Sequence, residues 1–474
     1  MMKKYLYYIV AIFLFFVANS CKEDAENLLY MGDEAYIASF SLSKGTEEYI
    51  LPVYQDSIVF EVAYGFDFSG MTANVVVDDG ITISPEPSTV SDWSQNIDFK
   101  LTSANGQVNK SYKYIVHVGK YEKYYDKVAY LRTQQEVNEF GANEYTRVAG
   151  LIIGAPNAGD GDINDLSSLN TIEIVDYNLQ IAKGFRGRDL GGGFDNLKSV
   201  TTLNVKNDSL LSLSFPSLES ASNLLIGMLN DEDENNNRCN NLDTVLFPSL
   251  TMIVNNFYLN CASKSFEGFS TLREVGGEVF VQTNAANFKG LEGLTGLQYF
   301  TINAMRYLRS FEGLENLKSV TGTLRIQMIN IDSIKGFAPK EVGYLNVNNC
   351  RNLKSLDAFS EITKLDNLLL SGLVNLSSLD GLRNLKKVSG SISLLYLGSQ
   401  VYWPTVSYKG IENLDGLSNL ESVGSNFSIN YCYKLGDYSG LAKLIPNFSG
   451  TFTTANNTYN PTLEDLKAGR YTNE

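Results

Sequence analysis

Histidine is almost missing from this sequence: one residue, His117, in 474. That scarcity removes the commonest general base and the commonest transition-metal ligand, and it leaves the serines without a base for nucleophilic catalysis. In Ser111-Tyr-Lys-Tyr-Ile-Val-His-Val118, alternation places Tyr112, Tyr114, Val116 and Val118 on one face and Lys113, Ile115 and His117 on the other. His117 therefore reads as an ordinary strand residue. Positive charge is scarce too, with 38 Lys and Arg against 53 Asp and Glu and a formal net charge of -15. A polyphosphate partner needs a basic face that releases counterions, so nucleic acid is excluded, and an anionic membrane surface would repel the chain. The acidity is spread along the chain and reads as solubility of an extracellular surface. Beyond Val17, no apolar run is long enough to span a bilayer.

What is present starts at the N-terminus. Lys3 and Lys4 precede an apolar stretch from Tyr5 to Val17, and Ala18-Asn-Ser20 supplies short residues before Cys21. The apolar run is too short for a permanent transmembrane helix and reads as a signal peptide. Cysteine directly after the cleavage point resembles the lipobox of bacterial lipoproteins, although Ala18 stands where leucine is usual. That resemblance implies residues 1–20 as a lipoprotein signal peptide, Cys21 as the lipidated residue, and 21–34 as lipid anchor and flexible tether. Cys21-Lys-Glu-Asp-Ala-Glu26 is similar to the charged tag that sends such proteins to the outer face of the outer membrane. The expected location is the outer membrane, exposed on the cell surface, with membrane contact through the anchor only.

Residues 35–119 read as short strands punctuated by turns: Ser57–Tyr64, Thr72–Val77, Ile97–Leu101 and Ser111–Val118, with Asp79-Gly80 and Asn105-Gly106 as turn pairs. Length and spacing fit an immunoglobulin-like β-sandwich without a disulfide. It resembles the spacer modules that follow the anchor in bacterial surface lipoproteins. A glycan-binding sandwich, the alternative, would use Trp93 or exposed tyrosines.

After a tyrosine-rich joint, Thr133-Gln-Gln-Glu136 forms a capping box for a short helix that caps an array. The array repeats visibly in Phe311-Glu-Gly-Leu-Glu-Asn-Leu-Lys-Ser-Val320, Leu379-Asp-Gly-Leu-Arg-Asn-Leu-Lys-Lys-Val388 and Leu414-Asp-Gly-Leu-Ser-Asn-Leu-Glu-Ser-Val423. Its anchors Phe311, Ile334, Leu356 and Leu379 recur at about 22 to 23 residues, the period of leucine-rich coils. Alternation points Leu324 and Ile326 inward and Thr323, Arg325 and Gln327 outward, while Gly313, Gly381 and Gly416 allow the bends. Residues 120–474 thus resemble leucine-rich repeat proteins, most of all the receptor L domain, with irregular coil lengths and few strict asparagine ladders. The expected fold is mainly β: an immunoglobulin-like sandwich, then a leucine-rich-repeat right-handed parallel solenoid with helical caps. Pro461-Thr-Leu-Glu-Asp-Leu-Lys467 reads as the closing helix.

The resemblance implies recognition of an extracellular protein or carbohydrate on an exposed sheet face, with no cofactor, no metal and no catalytic residues. The expected function is surface binding or adhesion; a glycan-degrading enzyme or accessory protein, and a purely structural envelope protein, are the alternatives. The longest interruption of the repeat, Leu397–Ile411, carries Tyr402, Trp403 and Tyr408 as candidate binding residues, because loops inserted on one face of a solenoid commonly bind. Cys350 and Cys432 occupy the same place in their coils as buried small residues. Cys239 and Cys261 stand about one coil apart, near enough for a disulfide in an oxidising exterior. Asp160-Gly-Asp-Ile-Asn-Asp165 begins like a calcium loop, but Thr171 stands where a closing glutamate is needed. The acidic run Asp231–Asn235 reads as a solvated loop, and Gly191-Gly-Gly193 as a turn.

Overall fold

The computed structural model describes residues 35–119, 122–154, 162–227, 238–401 and 407–473. Within them the protein is mainly β, and the chain divides into two compact units between Glu122 and Lys123.

The first unit holds seven strands: β1 (Ser39–Lys44), β2 (Glu47–Leu51), β3 (Ser57–Val62), β4 (Thr72–Val76), β5 (Thr82–Ser84), β6 (Ile97–Thr102) and β7 (Asn109–Val118). They form two sheets, β2-β1-β4 and β3-β7-β6-β5, antiparallel except where β3 meets β7. The alternation in β7 holds for Tyr112 and Tyr114, which are buried, and fades at its end, where Val116 is half-buried and Val118 is exposed along with His117. One core draws on both sheets, and its centre is aromatic: Phe40 meets Trp93 edge-on at 5.9 Å, and Trp93 meets Tyr114 at 5.3 Å. The Tyr114 hydroxyl donates to the Trp93 carbonyl at 2.9 Å, and burial pushes its pKa well above the ordinary tyrosine range. Trp93 is fully buried, so it serves packing; the reading that offered it to a glycan is corrected.

The second unit opens on a strand, Tyr124–Leu131, where the sequence reading placed a joint, and the capping helix follows it. Thr133 caps helix α1 (Gln134–Gly141), with its hydroxyl accepting from the Glu136 amide while the Glu136 carboxylate accepts from the Thr133 amide. Val137 from this helix is buried against the first coils. A parallel β-solenoid of about 13 turns follows, from the strand Tyr124–Leu131 to the strand Phe452–Ala455. Its register stacks inward residues in two columns, so Leu324, Leu345, Leu368, Ile392 and Phe427 lie one above another, as do Ile326, Val347, Leu370, Leu394 and Ile429. All ten are buried while Arg325 is exposed, which matches the expected alternation. No single coil could bury such residues; stacking does.

Three devices bind coil to coil. Phenylalanines stack inside, Phe194, Phe215, Phe247 and Phe269 at 5.9, 5.4 and 5.3 Å in turn. The repeated asparagine captures a carbonyl one coil earlier: Asn196 donates to Asn170, Asn316 to Glu292, Asn384 to Ser360 and Asn419 to Arg383, all at 2.8–2.9 Å. Asparagine laddering is therefore more regular than the sequence suggested. The repeat glycines also need a different account. Gly313 does adopt a positive φ of 102°, but Gly381 and Gly416 do not; a Cβ on either would stand 2.1 Å from the backbone carbonyl of the coil before. Close approach, more than bending, demands glycine there. The last coil is closed by α2 (Leu463–Lys467), capped by Thr462, with Leu466 fully buried.

Candidate functional site

Each of the last seven coils leaves the sheet through the same backbone turn. The residue after the strand is left-handed in every case: Ala304 (φ 46°), Met328 (56°), Asn349 (51°), Gly372 (65°), Tyr396 (55°), Tyr431 (58°) and Asn456 (59°). One of the seven is glycine and two are asparagine, which tolerate the turn, so the solenoid imposes it on the four that resist it, Ala304, Met328, Tyr396 and Tyr431. The next residue plugs the core, as Cys350, Leu373, Leu397 and Cys432 do, and the one after it emerges again as Arg351, Val374 and Tyr433, while Gly398 stays buried. Side chains at the left-handed positions consequently form a row along the solenoid edge.

That row contains a slot. The rings of Tyr396 and Tyr431 lie parallel at 4.6 Å, which covers one face of Tyr396. On the other side comes the coil of Gly372, which contributes no side chain, and beyond it Asn349. Two coil steps of about 4.8 Å thus separate Asn349 from Tyr396, leaving room for one flat ring between them. An open cleft of about 530 Å³ occupies this place, lined by Asn349, Arg351, Ser371, Gly372, Val374, Tyr396, Gly398, Ser399 and Tyr433. No carboxylate is among them. Tyr396 keeps 45 % of its surface exposed, although a large aromatic side chain would ordinarily be covered.

Further aromatic surface adjoins the slot. Tyr433 meets Tyr431 edge-on at 6.2 Å and Tyr408 in a stacked arrangement at 6.4 Å. Tyr408 arrives on the strand Ser407–Gly410, which pairs antiparallel with Gly398–Val401, so the predicted insertion is a hairpin standing beside the cleft. On the sheet side an amide ladder leads in: Asn303 donates to Gln282 at 2.6 Å, Gln327 to Asn303 at 2.9 Å and Asn348 to Gln327 at 3.3 Å, and Asn349 donates to Asn348 at 3.3 Å. Rings, amides, hydroxyls and one guanidinium thus converge on one edge of the coil stack.

Of the residues singled out from the sequence, Tyr408 joins this cluster. Tyr402, Trp403 and Cys21 lie outside the described residues, as do Asp160 and the Asp231–Asn235 run. Asp162 accepts the Gln134 amide at 2.9 Å and so braces the capping helix. Gly191 and Gly192 take positive φ in a turn. Sequence reasoning missed Tyr396, Tyr431, Tyr433, Asn349 and Arg351. The signal was available beside the equivalent cysteines, since Asn349-Cys350-Arg351 and Tyr431-Cys432-Tyr433 flank the core plug with the residues that line the cleft.

Cys239 and Cys261 face each other across adjacent coils as a parallel bridge, the neighbourhood a disulfide would need, with both thiols free in this structure. The cysteines share another role. Cys239, Cys350 and Cys432 reach back to the carbonyls of Val205, Ile326 and Leu394 at 3.6, 3.7 and 3.9 Å, the same strand position each time. Burial pushes Cys239 and Cys350 up to about 11 and Cys261 and Cys432 up to about 12, from 9.0. An unfolded chain would ionise these thiols at lower pH than the folded one, so their contribution is complete below about pH 9 and lost as pH rises towards 11–12. Urea midpoints measured with reductant present should therefore fall between about pH 8 and about pH 10.5, and fall less in a Cys350→Ala, Cys432→Ala variant.

A groove of about 590 Å³ in the first unit lies between β4 and β5. Its lining, from Ala73 to Ser88, offers no aromatic ring. Residues 37–118 match the family model described as SGBP, N-terminal, the N-terminal domain of surface glycan-binding proteins. The match covers the first unit alone, fits a surface binding protein and suggests a carbohydrate partner. No curated protein matches the chain.

Proposed function

We propose that this protein captures a glycan at the cell surface, and that the slot between Tyr396 and Asn349 seats one of its sugar rings. The observation that carries this reading is the uncovered face of Tyr396 above side-chain-free Gly372. A pyranose presents an apolar face of C–H groups, which an aromatic ring covers, and a rim of hydroxyls, which amides and serines can both donate to and accept from. Tyr433, Tyr408, Ser371, Ser399 and the Asn348–Asn349 end of the amide ladder supply both kinds of contact. Trp403 and Tyr402 belong to the same insertion in the sequence as Tyr408.

Capture without cleavage is the activity proposed. Glycoside hydrolysis needs two carboxyl groups across the scissile bond, and none lines the cleft. The first unit, read as an immunoglobulin-like module, acts as spacer, and the second is read as a leucine-rich, receptor-L-like solenoid that presents the slot. Anchoring through lipidated Cys21 would hold both outside the cell. Cys21→Ala should then leave the detergent phase in partitioning experiments; retention there would remove the anchor from the proposal.

A glycan array probed with the chain from Ala35 onward tests the function. Saccharide binding that is lost on Tyr396→Gly is the expected result. Binding to an array of host proteins, with no saccharide bound, would favour adhesion to protein instead.

A further inference from the structure

Several of the solenoid's lysines are paired with its own carboxylates. Lys340 pairs with Glu361 at 3.5 Å, Lys354 with Asp332 at 3.8 Å, Lys443 with Glu421 at 2.8 Å, and Lys434 with Glu412. These pairs join neighbouring coils. Arg351 differs: its carbonyl accepts from Asn375 at 2.9 Å, but among the described residues its guanidinium has neither ion pair nor hydrogen bond. It opens into the cleft beside the slot, where no carboxylate competes for it. A guanidinium presents a planar fork of donors matched to an anionic oxygen pair, whereas sugar hydroxyls need no charge at all.

We propose that the saccharide held in the slot is acidic, with a carboxylate or sulfate group on or next to the seated ring bound by Arg351. This rests on the glycan reading above and adds the chemical class of the ligand. The stacked ring sets position and the anionic group sets choice. A neutral sugar can fill the slot against Tyr396, yet it leaves Arg351 with water as its only partner. The acidic sugar gains a charge-assisted contact beside the stacked ring that a neutral sugar does not make.

The test is calorimetric titration of the protein with matched probes: oligogalacturonate, alginate oligosaccharides and sulfated galactan oligosaccharides, each beside its carboxyl-reduced or desulfated counterpart. Wild type should bind at least one acidic probe, and removing its charged groups should weaken binding about ten-fold or more. Arg351→Gln should cause a comparable loss for the acidic probe and a clearly smaller one for the neutral counterpart, while Arg351→Lys should fall between. Preference among the probes tells carboxylate from sulfate. Acidic and neutral forms bound equally, with Arg351→Gln indifferent, would overturn the inference and leave glycan binding standing. No binding of any probe, acidic or neutral, would overturn both. Unchanged melting of Arg351→Gln would confirm that the loss lies in the contact rather than the fold.

Discussion

Replacing Tyr396 by glycine is expected to weaken saccharide binding by about 2 kcal/mol or more while leaving the melting temperature unchanged or slightly raised. The two effects part company for a backbone reason. Tyr396 sits at φ 55°, a region that costs a non-glycine residue roughly 1–2 kcal/mol. Gly372 takes the same turn one coil earlier at φ 65°, so the solenoid already accepts glycine there. The substitution therefore removes the exposed ring and relieves the strain together. Alanine would be a poorer probe, because it loses the ring and keeps the strain. A reciprocal variant fills the slot: Gly372→Asn tolerates the left-handed turn, as Asn349 and Asn456 do, and places a side chain where the sugar ring would lie. A Cβ on Gly372 would stand 2.8 Å from the Asn349 side-chain oxygen, which can swing aside. Both variants should lose affinity in the same titration. A Tyr396→Gly protein that binds normally but melts early would mean that the ring serves the Tyr431 stack alone.

Why this slot escaped the sequence is itself physical. Alternation, capping boxes and the leucine period report residue type, and they located β7, α1, α2 and the coils around Phe311, Leu356 and Leu379. The left-handed row is defined by backbone conformation, and its members are Ala, Met, Asn, Gly, Tyr, Tyr and Asn, with no shared chemistry to detect. Tyr396 and Tyr431 are 35 positions apart because the Gly398–Gly410 hairpin intervenes, which breaks the 22-to-23-residue period at the coil where stacking matters. The same interruption made the insertion legible and drew attention to Tyr408, which lies beside Tyr433. Trp93 misled in the opposite way: tryptophan in a short-strand unit suits either a sugar platform or a core, and only the ring contacts with Phe40 and Tyr114 decide.

The largest loss of stability is expected from one methyl group, at Gly416. Its φ is ordinary, so no dihedral penalty applies; the obstacle is the Leu379 carbonyl, whose carbon and oxygen would both lie 2.1 Å from a new Cβ. Backbone faces backbone at this point, and neither side can rotate away as a side chain would. Relief requires parting two coils that Asn419 ties together through the Arg383 carbonyl at 2.8 Å. Gly416→Ala should therefore cost about 3 kcal/mol or more, at the upper end of overpacking effects. In a stack held by nearest-neighbour interfaces the damage should also be local at first. Amide exchange should speed up between about Ile411 and Tyr471 while the strands Ile174–Ile181 and Ser199–Val205 stay protected. Gly436→Ala is the matched control, because the nearest atom to its Cβ would be a Thr458 methyl at 3.5 Å, an ordinary contact. That variant should stay within about 1 kcal/mol of wild type in urea unfolding. Equal, small losses at the two positions would show that the coils can separate cheaply, and close approach would then no longer explain why Gly381, Gly416 and Gly440 share one place in the repeat.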